Sequence, residues 1–114
     1  MGKTSREKGK RGEREWASLC RSYGYTDAKR GQQFCGLEGD ADVVGIEGLH
    51  CEVKRVERLN IYDAISQSIR DAKEGEIPIV AHRKNRCDWL VTMTADDFFK
   101  IYQEYHSGVL LKNE

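Results

Sequence analysis

The chain has 114 residues, of which 39% are hydrophobic and 33% charged, with a formal net charge of zero. This length predicts one domain with a modest core. No apolar run approaches the roughly 20 residues that cross a bilayer, and no apolar segment follows the charged N-terminus, so neither a membrane span nor a secretory signal is expected. The four cysteines form no C-x-x-C pair, which favours reduced thiols in a cytoplasmic protein over a disulfide framework or structural zinc.

The zero net charge hides an asymmetry along the chain. Residues 1–34 carry nine Lys and Arg against four acids, so this third is +5 and the remainder is −5. A basic end can hold a polyanion even when the whole protein is neutral. Residues 1–8 have Met1 as their one apolar side chain. We therefore predict a mobile basic arm over residues 1–8 and one folded domain over residues 9–114.

A first helix is predicted from about Gly9. Trp16, Leu19, Cys20 and Tyr23 recur at helical spacing, and Gly24 is placed to end the helix. Glu13 lies near the border of this apolar face, where its side chain can reach past the helix towards a sheet. A first-turn glutamate that only complements the helix dipole is an equally good interpretation of the spacing.

Two short strands are predicted from Asp42 to Ile46 and from Leu49 to Lys54. Side chains alternate between the faces of a strand, so Glu52 and Lys54 share one side and a closed hairpin brings Asp42 to the same rim. Two carboxylates can hold a hard divalent cation, and a neighbouring ammonium can position a water. The alternative is a solvated charged strand, because this pattern is loose.

The rest of the chain predicts further strands and helices around this hairpin. Thr94 to Asp97 resembles a capping box before a last helix, whose aromatic face is expected to pack on the sheet. Val109 to Leu111 is read as an edge strand or an oligomer contact. The other predicted elements are a short strand at residues 25–30, a loop at 31–40, a helix at 62–72 with Gly75 as its C-terminal cap, and strands at 77–82 and 89–93. The order α-β-β-β-α-β-β-α predicts an α/β fold: a single domain with a mixed central sheet flanked by helices.

Four stretches carry a resemblance to a known family: GKRGEREW in the first helix, Arg30, DADVVG and HCEVK. Together they resemble the PD-(D/E)xK nuclease superfamily, and within it the small archaeal and phage-type Holliday-junction resolvases. The likeness covers Lys8 to Lys54 and extends to the next helix and strand in general character. Ala41 stands where the family motif has proline, and residues 31–36 do not match the family's serine-glycine loop residue by residue.

The resemblance implies a restriction-endonuclease-like core and a metal site. Asp42 and Glu52 would ligate Mg²⁺ or Mn²⁺ together with the backbone carbonyl of Val53. Glu13 would join directly or through the metal's water shell. Lys54 would orient the attacking water and stabilise charge on the phosphate.

Other residues are candidates for contacts with nucleic acid. His50 should share the face of Glu52, where it could touch the substrate or a metal-bound water, but a rim histidine without a specific role is favoured. Gln67 lies off the apolar stripe of its helix and is a candidate to face the cleft. Phosphate contacts, which position a duplex without reading its sequence, are assigned to Lys8, Lys10, Arg11, Arg14 and Arg30.

The function that this resemblance implies is metal-dependent endonucleolytic cleavage of branched DNA, with the four-way junction of recombination and repair as the preferred substrate. Symmetric incision of such a junction needs two active sites, so a homodimer is expected, in the cytoplasm of a bacterial, archaeal or phage-infected cell. One alternative is a nickase, flap or end-processing nuclease with the same site. Another is a nucleic-acid-binding module on a nuclease fold that does not cut.

Overall fold

The computed structural model describes residues 2–31 and 41–112 of the chain, so residues 32–40 of the predicted loop lie outside the described residues. Helices and strands follow one another in the predicted order, α-β-β-β-α-β-β-α, and form one α/β domain. The elements are α1 (Gly2–Ser22), β1 (Lys29–Arg30), β2 (Val43–Val44), β3 (Leu49–Arg55), α2 (Ile61–Asp71), β4 (Ile77–Arg83), β5 (Leu90–Thr92) and α3 (Ala95–Lys112).

The five strands form one mixed sheet in the order β1-β2-β3-β4-β5. Only the pair β3 and β4 is parallel, with Glu52 opposite Val80 and Lys54 opposite His82. The other three pairs are antiparallel. The parallel pair follows from the connection, because α2 carries the chain back across the sheet between these two strands. β3 is therefore the middle strand, and the predicted mixed sheet is confirmed.

The two helices α1 and α2 cover opposite faces of β3. Cys51 and Val53 are buried in the core with Trp16 of α1, as alternation predicts. His50 and Glu52 point to the other face and are buried there as well, beside Ser68 of α2, whose hydroxyl donates to the carbonyl of Ile79 at 2.9 Å. Glu52 is therefore shielded from bulk water on its face of the sheet, and the residues on the opposite face of β3 are buried in the core.

The first helix is longer than its apolar pattern predicts. It begins at Gly2 rather than near Gly9, because Lys, Arg and Glu are good helix formers that need no apolar stripe. The mobility of residues 1–8 remains a prediction. The helix ends before Gly24, which has a φ of +102°, as expected. Tyr23 lies beyond the helix end with 76% of its surface exposed, so its predicted place on the apolar face is wrong.

The second and third helices differ from prediction mainly at their C-terminal ends. α2 ends at Asp71, and its C-cap is Ala72 in extended backbone rather than Gly75. The predicted cap of α3 is confirmed, since the Thr94 hydroxyl accepts from the Asp97 N–H at 3.2 Å. α3 then continues to Lys112, so an edge strand at residues 109–111 is wrong. Within the described part of the chain, no helix has the length and apolar content needed to cross a membrane.

The aromatic face of α3 does not pack on the sheet as predicted. Phe98 is 48% exposed, Tyr102 44% and Tyr105 66%. Periodicity identified this helix and its apolar face correctly, but it carries no information on what covers the face.

Candidate active site

The central strand β3 positions two of the predicted site residues. Glu52 and Lys54 share the face that α2 covers, and the Glu52 side chain is only 2% exposed. The Lys54 Nζ donates to the Gln67 Oε1 at 3.2 Å, so Gln67 lies at this site, and its contact with nucleic acid remains a prediction. Through this hydrogen bond, Gln67 holds the Lys54 ammonium in place.

Asp42 is fixed against β3 by two hydrogen bonds. Its backbone N–H donates to the Cys51 carbonyl at 3.0 Å, and its Oδ2 accepts from the Val53 N–H at 2.9 Å. The carboxylate thus takes the place of a backbone acceptor just before β2 begins. Since the N–H and the C=O of one strand residue point to the same side, the Val53 carbonyl also faces Asp42. The charges of Glu52 and Lys54 also act on Asp42, so the two predicted carboxylate ligands lie close together at this point of the sheet.

Glu13 reaches this point from α1. Its Oε1 accepts from the Arg30 Nε at 2.9 Å, and its side chain is 20% exposed. Burial raises the pKa of Glu13, the hydrogen bond from Arg30 opposes this, and the negative charge of Asp42 raises the pKa further. Arg30 thus binds a site carboxylate in this structure, and its predicted phosphate contact would use the remaining guanidinium N–H groups.

Two contacts of the first helix set the position of Glu13. Glu15, two residues on, accepts from the Arg55 Nε at 3.2 Å and from the Arg83 Nη1 at 3.3 Å, which ties α1 to the ends of β3 and β4. A Cβ at Gly12 would lie 2.7 Å from the Arg55 Cβ, so only glycine permits this approach. In the segment from Gly12 to Glu15, Gly12 therefore permits close packing against Arg55, Glu13 lies at the candidate site, and Glu15 binds Arg55 and Arg83.

The carboxyl groups of this cluster disturb one another strongly. Burial first, and then the negative charge of Glu52, raises the pKa of Asp42 to about 7, although the Val53 N–H and Lys54 oppose the change. Burial also raises the pKa of Glu52, against the hydrogen bond with Asp42 and the charge of Lys54, while Asp71 and Glu13 raise it further. Two carboxyls this close cannot both ionise at low cost. A bound cation would remove that cost by neutralising the pair.

A second set of ligand atoms shares Glu52. In the described residues, one atom each of His50, Glu52 and Asp71 lie within 4.8 Å of one another, a spacing that can hold a metal ion. Among the described residues, Glu13, Asp42 and Glu52 do not form such a group of three, although Asp42 and Glu52 are close enough to shift each other's pKa. The Glu52 carboxylate therefore stands between two candidate ligand sets, one with Asp42 and Val53 and one with His50 and Asp71.

The position of His50 corrects the sequence interpretation. It is 1% exposed rather than at the rim, and its Nε2 lies 2.9 Å from the Glu52 Oε1. Its Nδ1 is 3.7 Å from the Glu76 Oε1. Strand alternation placed His50 beside Glu52, but only the packing of α2 buries it. Asp71 was missed altogether, although its i+4 spacing from Gln67 puts both on one face of α2.

The remaining predicted DNA contacts lie along α1. Lys10, Arg11 and Arg14 are exposed and Lys8 is half-buried. Burial raises the pKa of Glu13, and the charge of the adjacent Arg14 opposes this only weakly. Arg11 and Arg14 also line an open groove of about 550 Å³ with Arg83 and Trp89.

Comparisons of the chain with protein-family models, with curated proteins and with solved structures returned no match.

Proposed function

We propose that the chain is a divalent-metal-dependent endodeoxyribonuclease acting on branched DNA, with the four-way junction as its substrate. The observation that supports this most is the carboxyl pair of Asp42 and Glu52 beside the Lys54 ammonium. The pKa of Asp42 is raised to about 7 there, largely by burial and by Glu52. A buried acid pair with a neighbouring lysine is costly for folding, and such a cost is typical of a functional site.

The chemistry of the donor set fits Mg²⁺ or Mn²⁺. Both metals take carboxylate and carbonyl oxygens, and Asp42, Glu52 and the Val53 carbonyl offer these on one side of β3. When bound, such an ion acidifies a water and withdraws charge from the phosphate oxygens. Lys54, held by Gln67, then orients the water and offsets charge on the phosphate. Glu13 would hold the ion directly or accept hydrogen bonds from waters that the ion retains.

The exposed cations of α1 would hold the DNA backbone beside this site. Lys10 and Arg14 are four residues apart and therefore lie on one side of the helix, and the charge of Arg14 already acts on Glu13. Lys8, Arg11 and Arg30 would extend the contact. Such contacts fix the position of a duplex without reading its sequence, which suits an enzyme that recognises a branch.

The proposal includes a homodimer and a cytoplasmic location. A four-way junction is cut symmetrically when two active sites face its two strands of like polarity. A single chain supplies one site, so two copies are required. The free thiols of Cys20, Cys51 and Cys87 fit a reducing compartment.

The direct test is incubation of labelled four-way junction, flap and linear duplex with Mg²⁺, Mn²⁺ or EDTA. We expect metal-dependent paired nicks in the junction and little cutting of the linear duplex. Equal cutting of all three substrates would remove the preference for branched DNA. No cutting of any substrate with either metal would reject the nuclease and leave a binding module.

The salt dependence of binding tests the cations of α1. We expect Lys10→Ala with Arg14→Ala to weaken junction binding for every sequence and to reduce the slope of log K against log salt by about 2, about 1 for each lost phosphate contact. Fluorescence anisotropy over a range of salt concentrations measures the slope. The control is Lys100→Ala on α3, which should leave the slope unchanged. An unchanged slope in the double variant would exclude these residues from the interface.

The contact between His50 and Glu52 yields a prediction on metal affinity. His50→Leu removes the partner of the Glu52 carboxylate, and we expect Mn²⁺ affinity to fall by about 10- to 100-fold, the range for groups that orient a metal ligand. His50→Gln keeps an amide donor and should recover part of the loss. Calorimetric titration with Mn²⁺ measures both. Wild-type affinity in the leucine variant, with folding checked by circular dichroism, would mean that His50 does not orient Glu52.

A further inference from the structure

The third helix carries an apolar seam along its whole length. Ala95, Phe98, Tyr102, Tyr105 and Val109 alternate at spacings of three and four residues, the heptad pattern of a helix that packs against another helix. The ring centroids of Phe98 and Tyr102 are 6.1 Å apart, as are those of Tyr102 and Tyr105. The three rings thus form one continuous ladder, and each of them is between 44% and 66% exposed.

Further apolar side chains widen this seam on both sides. Phe99 is 55% exposed and Ile101 is 41% exposed, and in the heptad they flank the central positions. Aromatic and aliphatic side chains exposed together in this way are uncommon on a protein that stays a monomer. A second helix laid along the seam would cover all of them.

The seam is matched to an antiparallel copy of itself. If two α3 helices run in opposite directions with Tyr102 facing the partner's Tyr105, then Phe98 faces the partner's Val109 and Ala95 faces the partner's Lys112. Each large side chain then faces a side chain of smaller or similar size on the partner. The pairing of positions is identical when it is counted from either helix. This arrangement needs one two-fold axis, midway between Tyr102 and Tyr105, and closes as a dimer.

The charges at the two ends of α3 also favour the antiparallel orientation. The first turn of α3 carries Asp96 and Asp97, and its last turn carries Lys112. The antiparallel pair brings Lys112 of each copy to the acidic first turn of the other, and the two helix dipoles oppose each other. A parallel pair would instead place Lys112 against Lys112 within the seam, and the acidic turns against each other.

We propose that α3 is the dimer surface of this protein and pairs with α3 of a second copy in antiparallel orientation. This gives a surface to the homodimer of the proposed function, and it depends on that function only for the reason why a dimer is needed. Four half-exposed rings bury on the order of 400 Å² per copy, whereas a stable interface buries about 800 Å² per partner. The pair is smaller than a stable interface, so we expect it to form reversibly and to depend on protein concentration.

Sedimentation velocity without DNA or metal tests the pairing. Wild-type protein should shift from monomer to dimer as its concentration is raised across the micromolar range. Tyr102→Glu places a charge in the centre of the seam and should stay monomeric throughout. The control is Ser107→Glu, which adds the same charge at an exposed position on the opposite side of the helix, and should dimerise like wild type. Circular dichroism verifies that all three are folded.

Cysteine cross-linking tests the direction. In a background with Cys35→Ser and Cys87→Ser, Ala95→Cys and Lys112→Cys should each give little disulfide dimer alone and abundant dimer when mixed. Efficient cross-linking of either variant alone would indicate a parallel pair and overturn the proposal.

Three other outcomes would also overturn it. Wild-type protein that remains monomeric at every concentration excludes the dimer. A Tyr102→Glu variant that still dimerises places the interface on another surface. If this substitution weakens DNA binding without changing sedimentation, the rings stack on bases instead. Because sedimentation is measured without substrate, a monomeric protein that cuts junctions would reject the α3 pair and retain the nuclease.

Discussion

Replacing Glu52 by glutamine is expected to abolish metal-dependent cleavage and to leave junction binding near its wild-type strength. Glu52 lies between Asp42 and His50 with its side chain 2% exposed, so it belongs to both candidate ligand sets and has no access to a DNA phosphate. Without this carboxylate, the proposed site would no longer hold the ion that would activate the attacking water. We expect the rate of single-turnover cleavage to fall by a factor on the order of 10³ or more, which corresponds to about 4 kcal/mol of barrier.

The matched control for this variant is Glu47→Gln, which makes the same chemical change on an exposed glutamate in the turn between β2 and β3. It should cut at the wild-type rate. Binding of both variants is measured by anisotropy on a labelled four-way junction in Ca²⁺. Normal cleavage by Glu52→Gln would show that this carboxylate holds no essential metal, and equal loss of cleavage and binding would point to misfolding.

The second large effect concerns Asp42 and pH. Because the pKa of Asp42 is raised from its ordinary value of 3.8 to about 7, the folded chain holds a proton there that the unfolded chain releases. The stabilisation from this proton is full below about pH 4 and is lost as pH rises through about 7. Without metal, we expect the free energy of unfolding to fall over this window by up to about 4 kcal/mol.

Asp42→Asn should remove most of this fall, because its amide oxygen still accepts from the Val53 N–H while the ionising group is gone. The burial-raised pKa values of Glu52 and Glu13 act in the same direction, so a smaller slope remains. Denaturant unfolding in EDTA from about pH 4 to about pH 8 measures both proteins. Asp88→Asn, a change at an exposed aspartate, is the control. Equal slopes in wild type and Asp42→Asn would contradict the coupling between Asp42 and Glu52.

Local pattern was sufficient to predict the sheet and the shared face of Glu52 and Lys54. Period-two alternation fixes the side of a strand on which a residue lies, and both faces of β3 follow it. Alternation did not indicate which helix would cover each face. Alternation therefore predicts the position of His50 beside Glu52 but not its burial, because that burial depends on α2, which follows β3 in the chain.

Contacts between distant segments could not be predicted from spacing. The hydrogen bond from Val53 to Asp42 replaces a backbone ladder bond at the point where β2 begins, and no sequence pattern marks it. Asp71 lies near Glu52 because of the way α2 packs against β3, and no local sequence pattern specifies that packing. Periodicity identifies the apolar face of α3 but does not show what covers it. The expectation that this face packs on the sheet is wrong, because its aromatic side chains are exposed.

Calorimetric titration with Mn²⁺ of wild type, Asp42→Asn and Asp71→Asn tests the central claim, that Asp42 and Glu52 hold the metal together. The two variants make the same change on either side of Glu52, so they distinguish the two candidate ligand sets. We predict that wild type binds Mn²⁺, that Asp42→Asn loses most of this binding, and that Asp71→Asn keeps it. Binding that survives in Asp42→Asn and is lost in Asp71→Asn would place the ion with His50 and contradict the proposed active site.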